Sequence, residues 1–453
     1  MRICKLLIVF SIQLSVISLF AASPTGTLPV VYVNTTNNAA INSTETYVAG
    51  SLYIDSLGTA ALGTKEAPIS AQFKGRGNYT WKDFAKKPYK IKFDVKQKVL
   101  GMPNNRHWCL MACADDYLGF LKMPAGFRIG EAVGLRWTPR TRPVELVLNG
   151  KYQGIYFLTE HVRIASNRVK ITEQDDNATD SVSGGWLVEI DNYESEGNIK
   201  FDEGNGQHVM VSLKEPEVLS AQQRQYIESQ MNGLNNAIWG NDAARLWNML
   251  DVDEAAKFYL VQEIMEDCES YHGSCYLYKD RDRNGVVDKW KFGPVWDMGN
   301  AYMRHQEKWI YEDPTWPQYW IGQLAKWPAF QQAVKEQWWI FYHNYKDQVR
   351  ADVRETANAI ESAAKNDANV WRNTQGYCEN SNFSDVRDRF FRRYDWRINW
   401  LYCQWGEGVQ PATWGTEQTG EECVRSRKML RDGQIVIEAN GRVYNVLGQV
   451  VKD

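Results

Sequence analysis

The sequence predicts an α+β fold, with a strand-rich N-terminal half and a helix-rich C-terminal half. Two patterns carry this expectation. Up to about residue 100, short apolar runs are broken by Gly, Asn and Ser; from about residue 219, helical periodicity dominates. Strands are expected over 30–33, 47–54 and 89–93, the last alternating basic and apolar residues. A helix is expected within 118–132, although Pro124 and Gly126 oppose it. Asn149-Gly150 between the alternating runs 144–148 and 154–158 predicts a tight hairpin, and 186–190 forms a strand after Gly184-Gly185. Ser220 suits the N-cap of a helix reaching Met231, and helices follow over 252–265, 329–345, 348–364 and 385–403. A second hairpin, 276–278 with 289–292, interrupts them. Asp280-Arg281-Asp282-Arg283-Asn284-Gly285 begins like a calcium loop. Lys291 stands where that loop needs its bidentate Glu, so a turn explains the run better.

The ends of the chain differ from the middle. Arg2 and Lys5, an apolar run over 6–20 and Ala21-Ala22-Ser23 predict a secretion signal over 1–22. The expectation is thus an exported chain without a membrane span in its mature form, placed outside the cell, at its surface or in the periplasm. The main domain is expected over 23–405, a polar linker over 406–430 and a short β segment over 431–453, with strands 434–438 and 442–446. At 44% hydrophobic and 24% charged residues the chain reads as globular, and its net charge of -3 gives no sign of nucleic-acid binding. Eight cysteines, seven of them after Cys4, leave at least one unpaired within an exported chain. Cys109 with Cys113 and Cys268 with Cys275 are close in sequence, but His107 and His272 complete no zinc-ligand spacing, so structural thiols or disulfides are the expectation.

The motif richest in chemistry is Phe73-Lys74-Gly75-Arg76-Gly77-Asn78-Tyr79-Thr80-Trp81, followed by Lys86-Lys87-Pro88-Tyr89-Lys90-Ile91-Lys92-Phe93. A glycine turn lets backbone N–H groups approach an anion, and a lysine on the next strand can reach it. A hairpin with an exposed basic strand explains the same residues. Nineteen tryptophans raise another possibility, since Trp316, Trp320, Trp327, Trp338 and Trp339 crowd one region where rings could stack on sugars or form core.

This opening resembles that of the spore-coat protein H (CotH) kinase family, and further blocks follow in family order. They are Arg106-His107-Trp108-Cys109-Leu110-Met111-Ala112 with Asp116, Val144-Glu145-Leu146-Val147-Leu148-Asn149-Gly150, and Tyr152-Gln153-Gly154-Ile155-Tyr156-Phe157-Leu158-Thr159-Glu160. After these come Gly184-Gly185-Trp186-Leu187-Val188-Glu189-Ile190-Asp191, Tyr276-Leu277-Tyr278-Lys279-Asp280 and Phe292-Gly293-Pro294-Val295-Trp296-Asp297-Met298-Gly299. The resemblance spans about 28–400 and implies a kinase-like two-lobed fold that uses ATP and Mg²⁺ to phosphorylate protein Ser/Thr. It implies Asp297 as the metal carboxylate. Gly75, Arg76, Gly77 and Lys90 would bind the phosphates, and Glu160 would pair with that lysine or lie near the adenine. The catalytic carboxylate maps to Glu269, with Asp267 two residues earlier. Glu269 extends its carboxylate by about 1.5 Å relative to Asp, and misplacement near 1 Å costs about 100-fold in rate. Gly299 stands where many members carry a second acidic residue, and Lys122-Met123 where they carry Arg-Asn. These departures leave a weak or inactive kinase, or a kinase-like extracellular module binding glycan or protein partners, as the alternative. Tyr444-Asn445-Val446-Leu447-Gly448-Gln449 resembles the C-terminal sorting segments of secreted Bacteroidetes proteins; a hairpin packed on the main domain is the other reading.

Overall fold

The computed structural model describes residues 22–58, 61–191, 199–202, 208–304, 307–313, 320–378, 382–411, 426–431, 434–439 and 442–445; the expected secretion signal and most of the expected linker lie outside them. The α+β class holds. The first seven strands close on themselves: β1 (Val30–Thr35), β2 (Val48–Asp55), β3 (Ile69–Gly75), β4 (Tyr89–Val99), β5 (Met102–Met111), β6 (Thr141–Leu148) and β7 (Lys151–Glu160) form a barrel in the order β1-β2-β3-β4-β5-β7-β6. All neighbours are antiparallel except β1 and β6, which run parallel with Val30 opposite Glu145. Alternation sorts the side chains. On β4, Tyr89, Ile91 and Phe93 join Phe73, Trp108, Leu146 and Tyr156 inside the barrel, and Lys90 and Lys92 face outward. Asn149 and Gly150, at φ 49° and 75°, make the expected hairpin turn.

The glycine turn does not lead straight into β4. A five-residue helix, α1 (Tyr79–Asp83), intervenes. The helix expected near Pro124 is α2 (Lys122–Ala132); proline falls in its first turn, where the missing N–H breaks no intrahelical bond. Beyond the barrel lies a second sheet, β12-β11-β8-β10-β9, built from β8 (Trp186–Ile190), β9 (Ile199–Asp202), β10 (His208–Glu215), β11 (Cys275–Lys279) and β12 (Lys291–Phe292). The remaining helices are α3 (Ala221–Trp239), α4 (Ala243–Met249), α5 (Val252–Met265), α6 (Ile321–Leu324), α7 (Pro328–Asn344), α8 (Lys346–Trp371) and α9 (Phe383–Trp405). Ser220 caps α3 through a capping box with Gln223. Capped by Asp251, α5 runs through the core against α2, α7, α9 and β12. The tail is a three-stranded sheet, β13 (Ser426–Arg431), β14 (Gln434–Ala439) and β15 (Arg442–Asn445), so a strand occupies the last part of the expected linker.

The calcium-like run is a turn. Asn284 and Gly285 are left-handed, Arg283 bridges Val286, and Asp282 accepts from the Lys279 ammonium and the Asp288 N–H. The described tryptophans of the crowded region mostly serve packing. Trp320 and Trp338 are fully buried and donate to Asn235 Oδ1 and the Gly406 carbonyl, at 2.8 and 2.9 Å; Trp327 donates to the Ile238 carbonyl at 3.1 Å. Cys403 is disulfide-bonded, while Cys109, Cys113, Cys268, Cys275 and Cys378 are reduced. Among the described residues, no helix is long and apolar enough to cross a membrane.

One buried ion pair fastens the barrel to the helices. Lys86 Nζ lies 2.7 Å from Asp367 Oδ1 on α8 and donates to the Ile155 carbonyl at 2.6 Å. Asp367 also accepts from Ile155 N–H (2.9 Å) and Tyr377 Oη (2.8 Å). Gly154 leaves the room: a Cβ there would stand 1.9 Å from Asp367 Oδ1. Removing one partner of such a pair strands a charge away from water and costs about 3–5 kcal/mol. Lys86→Met should therefore lower the unfolding free energy in urea by about that amount. Adding Asp367→Asn, which removes the charge and keeps an acceptor for Ile155, should restore most of it; a double variant no better than Lys86→Met would refute the assignment.

Candidate functional site

Three chain segments meet around one cleft: the turn after β5 lines it, the loop after α5 comes within electrostatic reach of it, and the loop after β12 completes its lining. The first carries Asp115 and Asp116. Asp116 is buried and ties the turn to α2, accepting from Leu118 N–H at 2.7 Å and Lys122 N–H at 3.0 Å. The second begins where α5 ends on left-handed Glu266, placing buried Asp267 and half-buried Glu269 on one turn, with Glu269 N–H directed to Asp267 Oδ1 at 3.4 Å. The third carries Asp297, exposed and at φ 44°, a left-handed conformation that Asp tolerates better than most residues. Its Oδ1 accepts from Gly299 N–H at 3.1 Å.

Gly299 is the centre of this geometry. A Cβ there would stand 2.8 Å from Asp115 Oδ2 and 3.1 Å from Asp297 Oδ1, so both carboxylates face the space beside it. The acidic residue that many relatives were expected to carry here would collide with Asp115. The cleft wall continues through Arg76, Thr80, Met111, Cys113 and Lys122. Lys122 is buried, donates to the Gly299 carbonyl and lies 4.4 Å from the centre of the Tyr117 ring. Arg76 lies over the Trp296 ring at 5.3 Å, and among the described residues it forms no ion pair.

Electrostatics make the cleft costly. Burial pushes the Asp115 and Asp116 carboxyls above their ordinary value; Lys122 opposes the push on both, and Asp297 and Asp116 add to that on Asp115. Burial raises Asp267 furthest, with Glu269 and Asp297 adding to it and Lys122 again opposing.

Of the residues singled out in the sequence, Asp297 and Arg76 line the cleft, Asp267 lies within electrostatic reach of Asp297 and Lys122, and Glu269 adjoins Asp267. The glycine turn contributes chiefly through Arg76 and Thr80. Gly75 N–H is already given to the Ser43 carbonyl (2.8 Å) and Arg76 N–H to the Pro88 carbonyl (3.2 Å); Gly77 is left-handed, at φ 80°. Lys90 does not line the carboxylate cleft. It lies on the outer barrel face opposite Cys109, and burial lowers its pKa. Glu160 pairs with neither a β4 lysine nor an open cleft. Its buried carboxylate is held by Arg168 and by Arg140, whose backbone N–H and Nη1 lie at 2.9 and 3.2 Å. Sequence reasoning missed Asp115; the available signal was the Asp115-Asp116 doublet just beyond a buried strand.

Among the described residues, no group of three or more His, Cys, Asp or Glu side chains forms a metal cage. Mg²⁺ seldom uses one. It takes one or two carboxylates and completes its shell with phosphate oxygens and water. The Asp115–Asp297 pair beside Gly299 fits a cation that arrives with a phosphorylated ligand.

The raised carboxyls set a pH dependence. A folded-state pKa above the ordinary 3.8 means the folded chain holds that proton more tightly, so stability falls as pH rises through the window above 3.8. Asp267→Asn should be more stable than the natural chain at pH 7, with the difference closing toward pH 4. Urea titrations across that range check it, and a variant less stable at pH 7 would contradict it.

A search of curated proteins finds no significant match. The family model described as CotH kinase protein matches residues 72–401, nearly three quarters of the chain, and spans every segment of the cleft. The chain belongs to the CotH kinase family.

Proposed function

We propose that the chain is an exported CotH-type protein kinase that transfers the terminal phosphate of ATP to Ser or Thr of a protein. The observation that carries this is the pair of carboxylates, Asp115 and Asp297, facing the free space at Gly299 beside Lys122 and Arg76. Phosphoryl transfer asks little covalent chemistry of a protein; it needs positioning and charge. Asp115 and Asp297 would hold Mg²⁺, and Asp115 takes the place of the acidic residue that Gly299 replaces. When bound, Mg²⁺ neutralises charge on the phosphates. Arg76 would meet the phosphates within the cleft, with Lys90 reaching in from the outer barrel face. The barrel and the helix-rich half would act as the two lobes.

Glu269 would orient the acceptor hydroxyl and take its proton as the bond to the leaving diphosphate breaks. It is more exposed than Asp267, which lies behind it and supplies negative potential. The apolar leader with its small-residue end supports export.

The test is the melting temperature of residues 23–453 with and without Mg-ATP. Ligand at about 100 times its dissociation constant should stabilise the fold by roughly 2.7 kcal/mol. Asp297→Ala and Asp115→Asn should lose that shift and lower phosphate transfer by about 100-fold or more. A well-folded chain with no shift would sink the kinase reading; a full shift in Asp115→Asn would remove Asp115 from the cation site.

A further inference from the structure

The outer face of the barrel beside the cleft carries cations in register. Lys74 on β3 stands directly opposite Lys90 on β4, and Lys92, two residues further along β4, stands opposite His107 on β5. Like charges directly opposite on a sheet are destabilising, and among the described residues no carboxylate forms an ion pair with them. Among the described residues, Lys74 and Lys92 direct their ammonium groups to the Tyr47 ring, at 5.1 and 5.6 Å, and neither they nor Lys90 forms an ion pair. Exposed Glu217 offsets Lys90 in part, and Glu215 is taken by Arg163 at 3.8 Å. Arg76 extends the same face past the end of β3, with Nη1 at 3.0 Å from Met111 Sδ, and lines the carboxylate cleft.

These side chains lie at three levels: Arg76, then Lys74 with Lys90, then Lys92. Residues two apart on a strand are about 7 Å apart, so the row runs about 14 Å from the cleft. The charge of a nucleotide ends at its phosphates, whereas this row continues through Lys92. An extended peptide with acidic side chains at alternate positions places them on one face at the same spacing of about 7 Å. We infer that Lys74 and Lys92, which continue the row beyond the phosphate-facing Arg76 and Lys90, bind an extended acidic strand of the acceptor protein, and that the kinase acts on Ser or Thr beside alternating Asp or Glu. This rests on the proposed phosphotransfer. His107 and His161, with ring centres 6.3 Å apart, add neutral partners for the strand. Burial lowers His107 to about 3 and His161 well below its usual value, so neither is charged near neutral pH, and among the described residues Nδ1 of each is buried without a hydrogen-bond partner.

The experiment uses fluorescein-labelled peptides with one Ser. One has Asp at alternate positions, one has Asn in their place, and one has the same Asp residues contiguous. Each is titrated into the full chain and offered as acceptor with Mg-ATP. The alternating peptide should bind at least about tenfold tighter than the Asn peptide, with a correspondingly lower KM, and more tightly than the contiguous one. Lys74→Gln with Lys92→Gln should erase this advantage while leaving kcat and Mg-ATP affinity unchanged. Equal binding of the Asp and Asn peptides, no preference for alternation, or a double variant that loses Mg-ATP affinity instead overturns the inference. A chain that transfers phosphate with no acidic preference loses only this inference. One that binds the acidic peptide but neither binds Mg-ATP nor transfers phosphate keeps the acidic row and loses the kinase reading.

Discussion

Carboxylates gathered around a single ammonium group set the terms for the rest of this structure. Asp115, Asp116 and Asp267 are each pushed toward the protonated state by burial, and Lys122 opposes that push in all three. No local preference of the chain would assemble them. They come from the end of a barrel strand, the first turn of a helix and the far end of another helix, and they stay together only because those elements are fixed elsewhere. Strained, self-repelling groups persist where the surrounding fold over-determines them. Here two buried pairs do so: Lys86 with Asp367 joins the barrel to α8, and Glu263 with Arg397 joins α5 to α9. Glu263 also accepts from the Tyr259 hydroxyl of its own helix and from Ile310 N–H at 3.1 Å, so the helix that delivers Asp267 is held both by α9 and by the turn at Ile310.

Local chemistry made much of the fold legible. Asn149-Gly150 could hardly be anything but a hairpin turn, and the strand 186–190 and helix 252–265 match the structure residue for residue because alternation and helical period are short-range signals. Barrel closure was not legible. It rests on β1 pairing with β6, more than 100 residues away, and parallel pairing leaves no turn signature. Lys86 read as part of a basic run because its partner lies near the other end of the domain. The arginine partners of Glu160 were hidden for the same reason: Arg140 precedes it by 20 residues and Arg168 follows by 8, and only the folded chain puts both on its carboxylate.

The site divides along the same line. Asp297 and the 267–269 turn stand out in the sequence because they sit in compact motifs. Asp115 could not, since one member of an acidic doublet looks like the other. Geometry separates them: Asp116 spends both oxygens on backbone N–H groups, while Asp115 turns toward Gly299. A glycine that looked like the loss of a functional carboxylate is therefore the condition for a different carboxylate to occupy the same space.

That exchange bears on Glu269 as well. An aspartate two residues earlier, Asp267, is 1% exposed and walled in by the end of α5, with its backbone N–H held by the Gln262 carbonyl at 3.0 Å. A carboxylate so placed can shape the potential of the cleft, but a polypeptide hydroxyl cannot approach it without opening the turn. Glu269 sits on the outer side of that turn, and its extra methylene, about 1.5 Å of reach, extends a carboxylate from that outer position. In the proposed kinase, the reach of Glu269 and the Asp115 carboxylate facing Gly299 would together present the negative charge that phosphoryl transfer needs.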